Sequence, residues 1–172
     1  MSWWKTALYD TCSLLTLDKL LLESPGLSRQ FTKNALALDE SFAPQQMSEE
    51  TAERLRQQVV LRPLPSQADV ARLLSSVRLS DALSDHDKLI FATAAHSKLA
   101  VVTSDRRLAR AIQRKKLAVG NMALVLKNLV ELRKLGKRAC EKLMQNLANR
   151  QDYLLRIPNP TWNDLKSYTF PA

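Results

Sequence analysis

The amino-acid sequence predicts an α/β fold in which a mainly parallel sheet is flanked by helices. Short apolar segments, typical of buried strands, alternate with longer segments that have the spacing of amphipathic helices. Two of the apolar segments end in an aspartate, Asp10 and Asp105. A third aspartate, Asp87, shares one helical face with the apolar residues Leu83, Ile90 and Ala94. These observations predict the fold class and direct attention to one edge of the sheet.

The first 61 residues alternate between predicted strands and helices. Pro25 and Gly26 end a leucine-rich helix that we expect to be packed on more than one side. Ser48 is a good N-cap for a later helix, which has two glutamates in its first turn. The predicted elements are a strand over 5–10, the leucine-rich helix around 14–22, a short helix over 27–33, a strand over 34–38, a helix over 49–58 and a strand over 59–61.

The alternation continues to residue 147. Ser66 caps a helix with one apolar face, and residues 79–84 form a turn before the helix that carries Asp87. Gly136 separates the last two helices of this part. The later predicted elements are a strand over 99–103, a basic helix over 106–116, a strand over 117–119 and helices over 122–135 and 137–147.

The remaining segment is predicted to be a helical and aromatic extension, residues 149–172, of a domain that spans residues 1–148. It carries three prolines together with Trp162, Tyr168 and Phe170, which is too aromatic for a simple disordered tail. We therefore expect it to pack on the domain or on a partner.

Composition excludes several classes of site. Cys12 and Cys140 are too few for a disulfide framework or a zinc cluster, and we expect reduced thiols. Three glycines make a glycine-rich phosphate loop improbable. No apolar run approaches the roughly 20 residues that span a bilayer, and the N-terminal residues lack the pattern of a signal peptide. The expected location is cytoplasmic, without a membrane partner.

Basic residues are concentrated in the second part of the chain. Residues 1–100 hold 11 Lys and Arg against 12 Asp and Glu, whereas residues 101–172 hold 15 against 5. This asymmetry predicts an anionic partner, with RNA or another nucleic acid as the first candidate, while a solvated basic surface is the alternative. The outward positions of the basic helix are Arg106, Arg107, Arg110, Arg114 and Lys115.

The three aspartates are the candidate catalytic residues. Asp87 shares a helical face with Ile90 and Ala94, where a carboxylate is costly to bury unless it is paired or bound to a cation. Asp10 and Asp105 end strands, and ligands of open α/β folds usually bind at the carboxyl ends of the strands. The pattern predicts a Mg²⁺ or Mn²⁺ site for hydrolysis of a phosphodiester.

Each candidate also has a structural interpretation. Asp10 and Asp105 precede helices and are suitable N-caps, and Asp87 is suited to a buried ion pair. His86 is expected to be a surface residue of its helix. The hydroxyl groups of Thr11, Ser13 and Thr103 either order the acids or belong to caps and strand ends.

Three segments resemble the motifs of PIN domains. Residues 7–13 (ALYDTCS) are similar to the opening motif, a strand that ends in Asp and is followed by small hydroxyl residues. Residues 83–94 resemble the central motif, in which an Asp precedes a hydrophobic-x-Ala-x-Ala helix. Residues 101–108 (VVTSDRRL) are similar to the third motif, a strand followed by Thr-x-Asp and a helix.

The resemblance implies which residues form the active site. Asp10, Asp87 and Asp105 would hold the Mg²⁺ or Mn²⁺ ions, and a glutamate between the first two motifs would complete the catalytic set. Glu50 fits the hydrophobic-x-x-Glu pattern best. The competing glutamates are Glu40, Glu49 and Glu53.

The resemblance also implies a metal-dependent endoribonuclease fold whose relatives include VapC-type toxins. Such toxins are commonly homodimers held by an antitoxin protein, and both partners are expectations for this chain. A non-catalytic RNA-binding or assembly module with the same fold, and a structure-specific DNA nuclease, are the alternatives. The extension and the strongly basic second part depart from the commonest short toxins.

Overall fold

The computed structural model describes residues 2–170 and shows the predicted α/β architecture. All pairings in its five-stranded sheet are parallel. The strands are β1 (Leu8–Tyr9), β2 (Leu36–Ala37), β3 (Val60–Leu61), β4 (Val101–Val102) and β5 (Val119–Gly120). Their order across the sheet is β3-β2-β1-β4-β5, so after the edge strand β3 the chain crosses to β4, beside β1, and β5 forms the other edge.

Helices follow every strand and cover both faces of the sheet. Two short 3-10 turns, Pro25–Leu27 and Asp39–Phe42, interrupt the regular alternation. The α-helices are α1 (Thr11–Glu23), α2 (Ser28–Phe31), α3 (Glu49–Gln58), α4 (Gln67–Ser75), α5 (Asp85–Ser97), α6 (Arg106–Arg114), α7 (Met122–Glu131), α8 (Lys137–Asn149) and α9 (Trp162–Ser167). No helix within residues 2–170 is long and apolar enough to cross a membrane.

Strands β1 and β4, which are neighbours in the interior of the sheet, bury both of their faces. Successive strand residues point to opposite faces of a sheet. Leu8 and Val101 pack with helices α5 and α6, whereas Tyr9 and Val102 pack with helices α1, α7 and α8. All four side chains are fully buried, as expected for parallel strands covered on both sides.

The observed elements are shorter than several predictions. Lys5 belongs to a turn, because its amide donates to the Ser2 carbonyl at 3.0 Å instead of pairing with a neighbouring strand. Helix α6 stops at Arg114 and α7 at Glu131, and Lys116 and Arg133 just beyond them have left-handed backbones with φ of 57° and 56°. Each left-handed residue turns the chain away from the helix axis.

The leucine-rich helix α1 is buried on more than one side, as predicted, but not all round. Leu14, Leu17 and Leu20 are fully buried, whereas Leu22 is 46 % exposed. Helix α1 contacts α3, α7 and α8, which surround its buried faces. Leu22 faces away from these neighbours and toward solvent.

The C-terminal extension lies against the domain and is attached to it by hydrogen bonds at both of its ends. The Thr16 hydroxyl donates to Asp152 at 2.8 Å, and the Asn121 amide group donates to the Tyr168 hydroxyl at 2.7 Å. Helix α9 contacts α7 and α8 through the fully buried Leu165. The extension therefore forms a fixed wall beside the carboxyl end of β5.

Candidate active site

Two of the predicted acids are placed by a strand end followed by a helix cap. Asp10 follows β1 and caps α1, with its Oδ1 accepting from the Ser13 amide at 2.8 Å. Asp105 follows β4 and caps α6, with its Oδ1 accepting from the amides of Arg107 at 2.7 Å and Leu108 at 2.9 Å. The structural interpretation of both residues is therefore correct, and each keeps its second carboxylate oxygen outside the cap.

A buried threonine connects these two acids. The Thr103 hydroxyl donates to Oδ2 of Asp10, and the Thr103 hydroxyl oxygen accepts from the Asp105 amide at 3.0 Å. Thr103 is fully buried at the end of β4, next to β1 in the sheet. The predicted ordering role of its hydroxyl thus has a geometric basis.

Asp10 and Asp87 line the same cavity, of about 240 Å³, at the carboxyl ends of β1 and β2. Asp87 is half-buried in the first turn of α5, where its Oδ2 accepts from the Ser84 hydroxyl at 2.8 Å. No ion pair of the described residues includes Asp87, so a buried ion pair does not explain it. Asp105 does not line this cavity.

The glutamate beside these acids is Glu40, whereas Glu50 lies elsewhere. Glu40 lines the cavity with Asp10 and Asp87 from the 3-10 turn that follows β2. Glu50 is in α3, and its carboxylate accepts from Arg54 at 2.8 Å. The choice of Glu50 from its sequence pattern is thus not supported by its position, and Glu40 was among its competitors.

His86 is half-buried, and its expected role as a surface residue is wrong. Its Nε2 lies 3.3 Å from the Thr11 hydroxyl and 3.1 Å from the Ser41 hydroxyl. These three residues belong to α5, α1 and the 3-10 turn that carries Glu40. His86 therefore holds together the three segments that supply the cavity with acids.

The other two predicted hydroxyl groups differ from each other in their contacts. Thr11 is buried and contacts His86, so it orders the cavity wall instead of a carboxylate. The Ser13 amide binds Asp10, and the buried Ser13 side chain is close enough to the same carboxylate to lower its pKa.

The cavity is electrostatically negative. Asp10 is 5 % exposed, and it takes part in none of the ion pairs among residues 2–170. Burial raises the pKa of Asp10, while the hydrogen bond from Thr103 lowers it and the charge of Asp87 raises it further. The pKa of the Cys12 thiol at the cavity wall is raised by desolvation and then by four carboxylates. Those carboxylates are Asp10, Asp87, Asp152 and Asp105.

The donor set fits a hard divalent cation bound by few protein ligands. No group of three or more His, Cys, Asp or Glu side chains in residues 2–170 is arranged to hold a metal ion. Mg²⁺, however, is usually held by one or two carboxylates and keeps several waters. Asp10 and Asp87 provide two such oxygen donors, and a cation would offset the charge that Asp10 carries without a basic partner.

The basic helix α6 presents its arginines to solvent. Arg106, Arg107, Arg110 and Arg114 are exposed, whereas Lys115 is half-buried beyond the end of the helix. None of these five residues belongs to an ion pair within the described chain. Three of the arginines line a shallow polar depression together with Arg78, which the sequence analysis did not single out. We call this set the arginine surface. Its members are Arg78, Arg107, Arg110 and Arg114.

No protein-family model matches this chain, and no curated protein or solved structure matches it either. Its function is therefore inferred from the two features described above, the acidic cavity and the arginine surface.

Proposed function

We propose that this chain is a divalent-cation-dependent endoribonuclease of the PIN type. The proposal depends above all on one observation. Asp10 and Asp87, which come from different parts of the chain, line one cavity at the ligand edge of a parallel sheet, and Asp10 is buried without a cationic partner among the described residues. A structural carboxylate at this depth is normally paired.

The chain's own residues would bind the cation and orient its ligands. Asp10 and Asp87 would hold it, and Glu40 would extend the set of oxygen donors at the cavity mouth. Thr103 keeps the Asp10 carboxylate in one orientation through its hydrogen bond. When bound, Mg²⁺ or Mn²⁺ activates water and stabilises the charge that develops on a phosphodiester.

The arginine surface would hold the RNA backbone. Its guanidinium groups are free of acidic partners within residues 2–170, so they are available to phosphate oxygens. Arg107 lies two residues after Asp105 on α6, which begins at the same edge of the sheet as the acids. Contacts to phosphates position a nucleic acid without reading its sequence.

Cleavage of a labelled single-stranded RNA, with Mg²⁺ or Mn²⁺ and then with EDTA, tests the proposal. We expect cleavage only with the metal, and we expect Asp87→Asn to reduce its rate by about 100-fold or more. Such a loss exceeds the one expected for a residue that only orients a metal ligand. Asp85→Asn is the matched control, because Asp85 is fully exposed two residues away and pairs only with Lys88 at 3.6 Å. Equal cleavage by the Asp87→Asn protein would contradict the assignment.

A non-catalytic RNA-binding module is the second candidate. It is favoured by the absence of a three-ligand metal group in residues 2–170 and by the use of Asp105 as a helix cap. RNA binding without metal-dependent cleavage, across substrates of several sequences, would support this candidate. Cleavage of DNA in preference to RNA of the same sequence would instead indicate a DNA nuclease.

The expected partners are a second copy of the chain and an antitoxin protein. Both stay predictions that follow from the proposed PIN identity. Light scattering on the purified chain would measure its mass in solution, and a mass of one chain would contradict the homodimer.

A further inference from the structure

A second cavity lies between the C-terminal extension and the carboxyl end of β5. We call it the extension cavity. Its volume is about 310 Å³, at the low end of small-molecule sites, which span roughly 300–1,000 Å³. Polar and aromatic side chains from both the domain and the extension line it. They include Ser104, Arg106, Tyr153, Arg156, Tyr168 and Phe170.

The wall that the extension contributes is held in place, while one aromatic ring in it is free. Tyr168 is fixed by Asn121, which donates to its hydroxyl, and by Lys127, which donates to its carbonyl at 3.2 Å. Tyr153 is 50 % exposed, and its hydroxyl makes no hydrogen bond within the described chain. An exposed ring on a fixed wall is suited to stacking on a planar ligand.

The charges around the extension cavity favour an anionic ligand with a planar group. Arg106 and Arg156 are exposed, and neither is in an ion pair of residues 2–170. The carboxylate of the cavity, Asp152, is paired with Lys19 at 3.2 Å and accepts from Thr16. Two guanidinium groups without an acidic partner among residues 2–170 therefore line the same cavity as an exposed aromatic ring, a combination with which proteins bind unstacked nucleotides.

The extension cavity and the acidic cavity are close neighbours. Ser104 and Arg106 line the extension cavity. They directly precede and follow Asp105, so this cavity lies beside the third predicted acid. Helix α1 borders both cavities, because its Thr11 and Cys12 line the acidic cavity and its Thr16 lines the extension cavity. A single strand of RNA can therefore reach both.

We propose that the extension cavity binds one unpaired nucleobase of single-stranded RNA beside the cleavage position. Tyr153 would stack on the base, and Arg106 and Arg156 would contact the neighbouring phosphates. This inference rests on the nuclease proposed above, and it specifies that the RNA substrate is single-stranded at the cavity. A paired base is already stacked in a duplex and does not enter the cavity.

The test measures RNA binding in EDTA, so that it does not depend on cleavage. Fluorescence anisotropy of a labelled single-stranded RNA of mixed sequence would give the affinity of the full chain. Tyr153→Ala should weaken binding by about fivefold or more, the loss expected for one base–aromatic stack, and Tyr153→Phe should restore it. Leu61→Ala, on β3 at the far edge of the sheet, is the control, because Leu61 is 43 % exposed.

Arg156→Ala provides a second variant and should also weaken binding. Unchanged affinity of both Tyr153→Ala and Arg156→Ala would overturn the extension cavity as a base site. Equal affinity for duplex RNA, or tighter binding of single-stranded DNA of the same sequence, would overturn it as well. If the unaltered chain binds RNA through Tyr153 but never cleaves it with metal, the cavity is supported and the nuclease is overturned.

Discussion

The Thr103 hydroxyl donates a hydrogen bond to the Asp10 carboxylate across the two central strands of the sheet. The two residues are 93 positions apart in the chain, and both are buried. Because Thr103 also accepts from the Asp105 amide, one side chain determines how two candidate catalytic acids are oriented. This contact makes the site sensitive to a substitution that changes no charge.

Thr103→Val removes this hydroxyl while keeping the shape of the side chain. We expect a loss of about 1–3 kcal/mol in the free energy of unfolding, since a buried carboxylate and a buried amide each lose a partner. Thr93→Val is the matched control, because Thr93 is buried and its hydroxyl has no partner among the described residues. Urea unfolding followed by circular dichroism measures both, and equal effects would contradict the special role of Thr103.

Asp10 should make stability depend on pH in the absence of metal. Burial raises its pKa in the folded chain above the value of about 3.9 expected in the unfolded chain. The folded state therefore keeps a proton that the unfolded state has lost, and the free energy of unfolding falls as pH rises from about 4 through the folded pKa. Above the folded-state pKa, the buried Asp10 carboxylate is charged and lowers the free energy of unfolding by its full amount.

Asp10→Asn should remove that dependence while retaining the helix cap, since Asn caps helices as well as Asp does. In EDTA, its stability relative to the unaltered chain should increase as pH rises from about 4 through the folded-state pKa of Asp10. Urea unfolding at several pH values measures the difference. A difference that stays constant over this range would show that the Asp10 carboxylate is not destabilised by burial.

Glu40 and Glu50 allow a glutamate that lines the acidic cavity to be compared with one that does not. Glu40→Gln should reduce metal-dependent cleavage by about tenfold or more, because Glu40 lines the acidic cavity. Glu50→Gln should change cleavage little, because Glu50 is exposed and pairs with Arg54. Initial rates at saturating RNA distinguish them, and the reverse order of effects would restore Glu50 as the catalytic residue.

The arginine surface should appear in the salt dependence of RNA binding. Replacing both Arg107 and Arg110 by Ala should lower the slope of log K against log salt by about 1 for each arginine. Arg72→Ala is the control, because Arg72 is exposed but already paired with Asp69 at 3.1 Å. Anisotropy titrations between low and moderate salt give the slopes, and equal slopes for all variants would rule out phosphate contacts by Arg107 and Arg110.

Much of the fold follows from local sequence patterns. The helix over 49–58 has the predicted bounds, because Ser48 caps it and its amphipathic face is regular. Strand bounds were less accurate, since each observed strand has only two paired residues and pairing depends on distant parts of the chain. The left-handed residues that end α6 and α7 are Lys and Arg, which carry no turn signal of their own.

The part of the candidate site that follows strand ends could be predicted from the sequence. Asp10 and Asp105 follow apolar strands, and the carboxyl ends of parallel strands meet at one edge. Applied to the strand predicted over 34–38, the same rule selects Glu40, whereas the hydrophobic-x-x-Glu pattern of the PIN resemblance selects Glu50. The contacts of His86 depend on a 3-10 turn whose position is set by strand pairing, so no local pattern indicates them.

The two cavities take their lining residues from different lengths of the chain. Every side chain that lines the acidic cavity lies between Asp10 and Asp87. The extension cavity requires residues up to Phe170, and its Thr16–Asp152 hydrogen bond joins positions 136 residues apart. A chain that ended before the extension would therefore keep every lining residue of the acidic cavity and lose most of those of the extension cavity.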